Sequence, residues 1–597
     1  MADPVQETGN TPGARRQVSL TIDAGPRIWR RGSWSKYSAS LVATAMSVIT
    51  FVESRLCTWA FLALLCLAVL VRVRGLDRAL WTAETWVANS VISPSFVGMF
   101  YYPAWLQTTP PVMLLFVRGA VRLLGASNWS FRFIPFAFGV LAVALHALLS
   151  RRIFGRWLAL FSTTLVALSP SAVVFSKELK QYSADLASAA MILLVLWIYI
   201  ARPDRRSFAQ LLIAFAVSIG LSDPAVMFLP LAMAVLLTAQ PDFSHSSEPL
   251  LSGGVTRMIR CVCFTIPIVW LEVLHYIIFV RPNSAPQLFE YWRDGFPKLA
   301  NFGVLTRFYA QNFAGIPLYF FLGLHSKDVL KAVLRAVPGP LLLLLVSASG
   351  VGLLMLALRI CRRRQNRYLV AFACAPVATL ALANLVHVYP VDARRLMLFL
   401  LPGVAIGLTL FLEEFCTAMR LDRLEPDTRQ RLLNLIGIVA VCVLPVAIAR
   451  SGAFDPWEQE DVQVALRDLR YRIAEGDLVY VHASLVESVK LYLGMMNWQN
   501  APVIYGDSGW GCCPRRDERQ LRYDHGASLT EELATLKARA PGRILWLLFT
   551  GRGGQWVEIN RNDPEIFTAA LCPSTCQQGG GLVFPDVVVY RLRCHPQ

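Results

Sequence analysis

Residues 184–200 read ADLASAAMILLVLWIYI, and this stretch decides which class of protein the chain belongs to. Its one charged side chain is Asp185, close to its start. A helix that crosses the hydrocarbon core of a bilayer needs about 20 mostly apolar residues. The stretch is therefore interpreted as a membrane-spanning helix.

Similar apolar windows recur along the chain, about eleven in all. They are residues 56–73, 133–149, 157–175, 184–200, 207–220, 225–239, 261–280, 341–358, 370–388, 396–412 and 435–449. The composition agrees, since 55% of the 597 residues are hydrophobic and 16% are charged, with a mean hydropathy of +0.48. The sequence thus predicts a mainly α, polytopic helical membrane protein and excludes soluble Rossmann enzymes, coiled coils and secreted disulfide miniproteins.

The net charge of +17 arises from 57 Lys and Arg against 40 Asp and Glu. Most of the arginines lie in short clusters between apolar windows: Arg15, Arg16, Arg27, Arg30 and Arg31; Arg151, Arg152 and Arg156; Arg202, Arg205 and Arg206; Arg359, Arg362, Arg363, Arg364 and Arg367. These clusters share one side of the membrane if the N-terminus is cytoplasmic, as the positive-inside rule requires. We therefore expect no nucleic-acid partner, and we expect the segment after residue 450 on the opposite side.

The chain divides into three predicted parts. Residues 1–55 form a cytoplasmic arm with an interfacial helix at 38–52, residues 56–450 the transmembrane domain, and residues 451–597 a small extracytoplasmic α/β domain. The last part has β-rich runs at 478–481, 544–549 and 587–592, and helical patterns at 462–472 and 530–539. It also contains Cys512, Cys513, Cys572, Cys576 and Cys594. Outside the cytoplasm, such a cluster favours one or two disulfides over the alternative, a zinc site.

Long outward loops indicate a site on the extracytoplasmic face. The first, residues 74–132, contains Glu84 just after Leu80-Trp81. Its carboxylate can serve as a general base or bind a cation, or it can simply favour a helix N-terminus. Further on, Arg118 and Arg122 lie four residues apart on one helical face. They can hold a lipid phosphate or only reach toward water.

The second outward loop reads Phe175-Ser-Lys-Glu178-Leu-Lys180-Gln181-Tyr182-Ser-Ala-Asp185. Acids at a membrane boundary are costly and tend to have partners or functions, although they can also be water-facing caps. A third group reads His387-Val-Tyr389-Pro390-Val-Asp392-Ala-Arg394-Arg395. Arginine at the outer end of a span departs from the charge rule and indicates a phosphate partner, whereas His387 is interpreted as a boundary histidine.

In this order, the stretches resemble bacterial GT-C membrane glycosyltransferases of the family-39 group, related to protein O-mannosyltransferases and to the aminoarabinose transferase of lipid A. The matching stretches are Leu80-Trp81-Thr-Ala-Glu84, Thr109-Pro110-Pro111, Gly125-Ala-Ser127 through Arg132 and Pro135, Glu178-Leu-Lys180-Gln181-Tyr182-Ser-Ala-Asp185, and Tyr389-Pro390 through Arg394. One residue departs from the pattern: the family's Asp-Glu pair is Ala83-Glu84 here. The acid usually credited as the catalytic base is therefore missing.

The resemblance implies a GT-C-like transmembrane catalytic domain in the inner membrane of a bacterium, with a periplasmic active site. The donor would be a sugar on a polyprenyl phosphate, and the acceptor a hydroxyl of an envelope glycan, lipid or protein, attacked with inversion. Glu84 would act as the base, with Asp185 or Glu178 assisting. The substrate-binding residues implied are Lys180, Gln181, Tyr182, Tyr389, Arg394 and Arg118, with Lys180, Arg394 and Arg118 neutralising the phosphate. The resemblance implies no definite cofactor, and it leaves a divalent cation as an alternative.

Two other functions compete with this hypothesis. Ala83 favours a catalytically impaired homologue that acts as a membrane scaffold. A lipid or sugar transporter is the other alternative, but transporters place polar or broken-helix residues near the middle of the membrane. Here the ionisable groups gather at one boundary instead.

Overall fold

The computed structural model describes residues 58–101, 109–239, 250–284, 292–298, 301–313, 316, 320–321, 364–391, 395–418, 461–506, 525–539, 542–550, 571, 577–584 and 587–593. The described residues from Trp59 onward belong to one compact unit. Several predictions fall outside the described residues: the interfacial helix at 38–52, the windows 341–358 and 435–449, Arg394, and the five C-terminal cysteines.

The transmembrane part is built from helices α1 to α14. They are α1 (Thr58–Val73), α2 (Thr82–Ile92), α3 (Phe96–Phe100), α4 (Pro111–Leu124), α5 (Asn128–Ile153), α6 (Arg156–Ala167), α7 (Pro170–Phe175), α8 (Tyr182–Ala201), α9 (Arg205–Leu221), α10 (Leu229–Thr238), α11 (Leu250–His275), α12 (Phe302–Phe313), α13 (Arg364–Leu385) and α14 (Leu401–Ala418). A 3-10 turn, Asp223–Phe228, precedes α10, and Leu398–Leu400 precedes α14.

Five described helices are long and apolar enough to cross a membrane: Asn128–Ile153, Tyr182–Ala201, Gly254–Asn283, Asn366–Leu385 and Leu398–Thr417. Shorter apolar helices cover Thr58–Val73, Arg156–Ala167 and Asp223–Thr238. The mainly helical membrane fold is thereby confirmed, whereas the number of eleven spans stays a prediction.

The apolar composition of window 157–175 predicted a single span, but the structure has two helices there. The window is divided into α6 and α7, because Ser169 caps the second helix by accepting a hydrogen bond from the Ala172 amide and Pro170 occupies its first position. Proline lacks the amide hydrogen that a continuous helix would need there. This break directs the chain toward the second outward loop.

Helix α8 lies at the centre of the bundle, packed against α5, α9 and α14. Most of its side chains are buried, including Leu186, Leu193 and Leu196. Helices α13 and α14 also pack closely, because Gly403 lies where any side chain would come within 2.6 Å of the Phe372 carbonyl oxygen. The central position of α8 places both ends of this helix against other elements.

The C-terminal part forms the predicted α/β structure. Its helices are α15 (Val462–Arg472), α16 (Val486–Met495) and α17 (His525–Arg539), and its strands are β1 (Leu478–Val481), β2 (Val503–Tyr505), β3 (Ile544–Thr550), β4 (Gln577–Phe584) and β5 (Val587–Arg593). The strand order is β2-β1-β3-β5-β4. β1 pairs in parallel with β2 and β3, whereas β5 pairs antiparallel with β3 and β4.

One hydrophobic core joins the first outward loop to the C-terminal part. It is made of Leu80, Val87, Met113 and Phe131 on one side and Val462, Leu469, Val489 and Leu548 on the other. Polar contacts reinforce it: the Asn89 side-chain amide donates to the Glu487 carboxylate over 3.0 Å, and the Thr85 and Ser488 hydroxyls lie 3.1 Å apart. The loop that contains Glu84 is therefore held between the membrane helices and α16.

Candidate functional site

Glu84 lies in the first turn of α2 and is completely buried. Its carboxylate forms a bidentate salt bridge with Arg132 of α5. The Nε–Oε1 distance is 2.9 Å and the Nη2–Oε2 distance is 2.6 Å. The Leu179 amide also donates to Oε1 over 2.6 Å, and the Trp81 amide to Oε2 over 3.2 Å. Both oxygens therefore accept two hydrogen bonds each.

Arg132 uses its remaining donors on the backbone of the first loop. Its guanidinium donates to the carbonyl oxygens of Leu76, Arg78 and Ala79. All five N–H donors of the side chain are thus engaged, which is the maximum an arginine can offer. The pair is an anchor that fixes the first loop against the start of α5.

The protonation of Glu84 follows from these contacts. Burial alone would raise its pKa, but the charge and hydrogen bonds of Arg132, the charge of Arg78 and the Leu179 amide together hold the pKa below its usual range. The role of Glu84 as proton acceptor, which the family resemblance implies, stays a prediction. Its lowered pKa and its full set of hydrogen-bond donors favour an anchoring role.

The same anchor holds the second outward loop. Besides the Leu179 amide, the Lys180 ammonium donates to the Ala83 carbonyl oxygen over 2.7 Å, and it lies 5.8 Å from the centre of the Trp81 ring. The first two outward loops, about 95 residues apart in sequence, therefore meet at Ala83-Glu84. Lys180 lies beside the residue at which the family pattern has an aspartate.

Glu178 is the second buried acid of this site, with 5% of its surface exposed. Its Oε2 atom has no hydrogen-bonding partner among the described residues. Burial and then the charge of Glu84 raise its pKa, while Arg78, Arg395 and Lys180 oppose the rise. A carboxylate with a raised pKa and an oxygen atom that accepts no hydrogen bond from the described residues has the properties of a proton acceptor.

Asp185 lies in the first turn of α8 and is also buried. Its Oδ1 atom has no hydrogen-bonding partner among the described residues. The charge of Asp223 acts on Asp185, and the Asp223 carboxylate lies 3.1 Å from the Nε2 atom of His275. Asp223 belongs to the stretch Leu221-Ser-Asp-Pro224, which also fits a short outer loop of the family pattern. The sequence gave no signal for His275, because only the bundle brings its helix to Asp223.

The third predicted group also reaches this region. The Tyr389 hydroxyl donates to the Leu396 carbonyl oxygen over 3.1 Å. Burial is the largest cause of the raised pKa of Tyr389, and the charges of Asp185 and Asp223 raise it further. The guanidinium of Arg395 lies 6.0 Å from the Tyr182 ring centre and 5.2 Å from that of Trp292. Arg395, the neighbour of the predicted Arg394, is thus the arginine of this group that lies within the described residues.

Two predicted substrate-binding residues, Gln181 and Arg118, make contacts within the protein, and the substrate role of each stays a prediction. The Gln181 carbonyl oxygen accepts a hydrogen bond from the Asp185 amide at the start of α8. Arg118 donates to the carbonyl oxygens of Pro94 and Ser95 over 3.3 Å and lies 4.9 Å from the Phe96 ring centre. These contacts turn the Arg118 side chain onto the first loop; its substrate role stays a prediction.

The C-terminal part contributes Tyr492 to the support of the site. Its hydroxyl accepts a hydrogen bond from the Leu80 amide over 2.6 Å and donates to the Asn128 side chain over 3.2 Å. Asn128 in turn donates to Gln463 of α15 over 2.8 Å. The sequence contained no signal for this contact, because the residues that meet are more than 360 positions apart.

A metal site is not evident in the described part of the chain, where no group of three or more His, Cys, Asp or Glu side chains is arranged to hold an ion. Two pairs of acids lie near each other there, Glu84 with Glu178 and Asp185 with Asp223, and His275 and Glu272 lie close to Asp223.

Comparison with known proteins gives one family match. The model of the family described as dolichyl-phosphate-mannose-protein mannosyltransferase matches residues 108–270. This segment runs from α4 into α11 and contains Glu178, Lys180 and Asp185. The resemblance to family-39 glycosyltransferases inferred from the sequence motifs is confirmed over this part of the chain. No curated protein matches the sequence significantly.

Among solved structures, the chain is similar to ArnT from Cupriavidus metallidurans in the apo state, with 14% identity over 92% of this chain and 98% of that one and a TM-score of 0.47. The same protein bound to undecaprenyl phosphate aligns at 14% identity over 89% and 97%, with a TM-score of 0.43. The archaeal oligosaccharyltransferase AglB from Archaeoglobus fulgidus, in complex with an inhibitory peptide and a dolichol-phosphate, aligns at 14% identity over 82% and 69%, with a TM-score of 0.42.

Proposed function

We propose that the protein is an integral-membrane glycosyltransferase that moves a sugar from a polyprenyl-phosphate donor to an acceptor hydroxyl outside the cytoplasm, with inversion. The family match over residues 108–270 supports the reaction class. A lipid-linked donor also suits the position of the site at the ends of membrane helices, because its tail would lie in the bilayer while its phosphate reaches the surface.

The observation that carries this proposal is the environment of Glu178. The carboxylate is buried and has a raised pKa, and its Oε2 atom has no hydrogen-bonding partner among the described residues. We assign it as the base that takes the proton of the acceptor hydroxyl as the oxygen attacks the anomeric carbon. Glu84 then acts as a positioning residue, because its carboxylate holds the Leu179 amide next to Glu178.

The leaving polyprenyl phosphate needs positive charge as the sugar–phosphate bond breaks. We assign this role to Lys180 and Arg395, since both are close enough to Glu178 to lower its pKa. Tyr182 and Trp292, whose rings flank the Arg395 guanidinium, would orient it. Arg394 of the family motif stays a predicted member of this set, outside the described residues.

The impaired-homologue alternative rests on Ala83. The Lys180 ammonium already donates to the Ala83 carbonyl oxygen, so an aspartate side chain at this position would lie near a cation. The absence of that carboxylate removes one acid from the site but leaves Glu178 and Asp185. The proposed enzyme therefore differs from its family in which acid takes the proton.

We further propose that the site faces away from the cytoplasm. Helix α5 has 26 residues and a length of about 39 Å at 1.5 Å per residue. Arg132 lies near its start, whereas Arg151 and Arg152 lie in its last turn, on the side expected to be cytoplasmic.

A reporter fused after Gln597 tests the orientation, because both the C-terminal part and the Glu84 anchor would lie outside. Alkaline phosphatase at this position should be active, and a cytoplasmic fluorescent reporter should stay dark. The opposite pair of results would contradict the orientation and the location of the site together.

The transfer reaction itself is tested with the full-length protein in lipid vesicles. A panel of undecaprenyl-phosphate sugars with radiolabelled sugar is incubated with bacterial envelope fractions, and we expect label to move from the polyprenyl-phosphate fraction to the envelope material. Vesicles without protein are the control. Transfer from nucleotide sugars alone, or no transfer from any member of the panel, would contradict the proposed function.

A further inference from the structure

Residues 76–81 connect α1 to α2 and lead directly to Glu84, but they contain neither helix nor strand. A buried backbone without regular structure needs other partners for its amide and carbonyl groups. Leu80 in this segment is completely buried. The partners of residues 76–81 therefore determine where α2 begins and where Glu84 lies.

Helix α5 supplies the partners on one side of this segment. Asn128 and Arg132 are four residues apart, so they share one face of the helix. The Asn128 side-chain amide donates to the Asp77 carbonyl oxygen over 3.2 Å. The Arg132 guanidinium donates to the carbonyl oxygens of Leu76 and Ala79 over 3.1 and 3.0 Å. Because both side chains use N–H donors here, they hold carbonyl oxygens of the segment and leave its amides to other acceptors.

The C-terminal part supplies such an acceptor. Tyr492 of α16 is completely buried, and its hydroxyl accepts a hydrogen bond from the Leu80 amide over 2.6 Å. This amide belongs to the same peptide group as the Ala79 carbonyl, to which Arg132 donates. The two ends of a planar trans peptide point in opposite directions. One peptide group is thus held on one side by α5 and on the other by α16.

The Tyr492 hydroxyl is also bound to α5 directly. It donates to the Asn128 side-chain oxygen over 3.2 Å, and Asn128 donates to Gln463 of α15 over 2.8 Å. Burial, the largest cause, raises the pKa of Tyr492, while the Leu80 amide and the charge of Arg132 act in the other direction. The hydroxyl therefore keeps its proton near neutral pH, as the bond to Asn128 requires.

The contacts continue from this peptide to the second outward loop. The Trp81 amide donates to one carboxylate oxygen of Glu84 over 3.2 Å, and the Leu179 amide donates to the other over 2.6 Å. Leu179 directly follows Glu178, the proposed base. A shift of the Leu80 peptide therefore reaches the proposed base through the Trp81 backbone and the Glu84 carboxylate.

We propose that Tyr492 is a positioning residue for sugar transfer, which makes the C-terminal part a component of the reaction site. The inference rests on the proposed function, since the base that Tyr492 acts on is Glu178. The hydroxyl fixes the Leu80 peptide, this peptide fixes Glu84 at the start of α2, and Glu84 fixes the amide that follows Glu178. Tyr492 acts through the first outward loop and takes no part in proton transfer.

Other contacts keep the C-terminal part docked when this hydroxyl is removed. The Thr85 and Ser488 hydroxyls lie 3.1 Å apart, and the Tyr492 ring belongs to the hydrophobic core that joins the two parts. Tyr492→Phe keeps the ring in this core, but it removes the partner of the Leu80 amide and of the Asn128 oxygen. The variant therefore separates positioning of the first loop from docking of the C-terminal part.

Hydrogen–deuterium exchange on the full-length protein in detergent tests the network without any substrate. In Tyr492→Phe the Leu80 amide loses its acceptor, so exchange in the peptide covering residues 76–84 should become about tenfold faster. Peptides from α15 and α16 should exchange as in the wild type. Unchanged exchange at 76–84 would overturn the proposal. Faster exchange over α15, α16 and 76–84 alike would also overturn it, because a general loss of docking produces that result.

Tyr480→Phe is the matched control. Tyr480 is another completely buried tyrosine of the C-terminal part, on β1. It packs with Leu536, on the opposite face of the sheet from Val479 and Val481, which belong to the core shared with the first loop. This variant should keep wild-type exchange at 76–84 and wild-type transfer. The same changes in Tyr480→Phe as in Tyr492→Phe would identify them as a general effect of losing a buried hydroxyl and refute the proposal.

The transfer assay gives a second readout. The kcat of Tyr492→Phe, expressed per undecaprenyl-phosphate binding site, should fall about tenfold or more, because small misplacements of reacting groups lower turnover. Affinity for undecaprenyl phosphate should change much less, since Arg395 lies outside the first loop. If the variant only unfolded in part, the loss would disappear once rates are divided by the number of binding sites, and the positioning role would be wrong.

A double variant tests whether Tyr492 and Asn128 act together. Asn128→Ala combined with Tyr492→Phe should lower kcat by less than the product of the two single losses, because both residues act through one network. Losses that multiply fully would contradict that network.

The inference and the proposed function can fail separately. Local exchange changes in Tyr492→Phe, together with no transfer by the wild type, would remove the proposed function and leave Tyr492 as a residue that positions the first loop. A normal kcat in Tyr492→Phe would remove the inference only.

Discussion

Glu178→Gln is expected to lower turnover about a hundredfold or more, the loss typical of removing a general base. The amide has nearly the same shape as the carboxylate, and the Oε2 atom of Glu178 makes no hydrogen bond that folding would lose within the described residues. The variant should therefore fold normally and bind undecaprenyl phosphate as the wild type does. Initial rates of sugar transfer, with donor binding measured separately, test this prediction.

The pH dependence gives a second readout for Glu178. Its pKa is raised by burial and by Glu84, and a base acts only when it is deprotonated. The kcat/KM of the wild type should therefore rise with pH through this raised pKa and become level above it. The residual activity of Glu178→Gln should lack that rise, which a merely structural defect would not produce.

Asp185→Asn and Ala83→Asp are the matched variants. If Asp185→Asn abolishes transfer while Glu178→Gln is fully active, the base is Asp185. Ala83→Asp restores the acid of the family pattern beside Lys180 and should leave activity similar or raise it, including in the Glu178→Gln background. Activity that appears only after Ala83→Asp, in a protein otherwise inactive, would support the impaired-homologue alternative.

Glu84→Gln is expected to destabilise the protein strongly. Removing one partner of a buried charged pair costs about 3–5 kcal/mol, because the other charge stays buried and uncompensated. Here Arg132 would lose its only carboxylate among its hydrogen-bonding partners, and the Leu179 amide would keep a weaker acceptor. The unfolding temperature in detergent should fall, with loss of activity following from the loosened second loop.

Asp468→Asn is the control for this prediction. It removes the acid of another arginine pair, but Arg472 and Asp468 have 51% and 29% of their side-chain surfaces exposed. Exposed pairs contribute about 0–1 kcal/mol, so this variant should unfold close to the wild-type temperature. A Glu84→Gln protein as stable as Asp468→Asn would contradict the anchoring role.

The pH dependence of stability follows from the lowered pKa of Glu84. A carboxyl group with a folded-state pKa below its unfolded value stabilises the fold above the unfolded pKa and loses that contribution as pH falls through the folded one. The difference in unfolding temperature between wild type and Glu84→Gln should therefore be largest near neutral pH. It should shrink as pH falls below the ordinary carboxyl pKa of 4.5.

Much of the fold could be predicted because local composition decides it. Apolar windows such as 184–200 and 370–388 became helices α8 and α13, and the β-rich runs at 478–481, 544–549 and 587–592 became strands. Strand β4 was missed, since its Gln-Gln-Gly-Gly-Gly start has neither alternation nor β-branched residues. The break at Ser169-Pro170 was missed because apolarity alone does not report helix continuity.

The candidate site could be predicted only as a set of residues. The motifs brought Glu84, Glu178, Lys180 and Asp185 to attention through residue type and spacing. They did not indicate that Arg132 saturates Glu84, which depends on the packing of α2 against the start of α5. Nor did they indicate that the Nε and Nη2 atoms of Arg72 and Arg78 are buried without a hydrogen-bonding partner among the described residues, since this depends on tertiary packing.

By itself, the sequence determined the membrane class, the helical bundle and the outward loops that hold the ionisable residues, because hydropathy and charge act along the chain over one or two helical turns. Only the tertiary structure decided that both carboxylate oxygens of Glu84 accept hydrogen bonds, whereas the Oε2 atom of Glu178 has no hydrogen-bonding partner among the described residues. The pKa of a carboxyl group depends on burial and on charges within a few ångströms. Arg132 acts on Glu84, and Arg78 and Arg395 act on Glu178. Each of these arginines is distant in sequence from that acid and is brought to it only by folding.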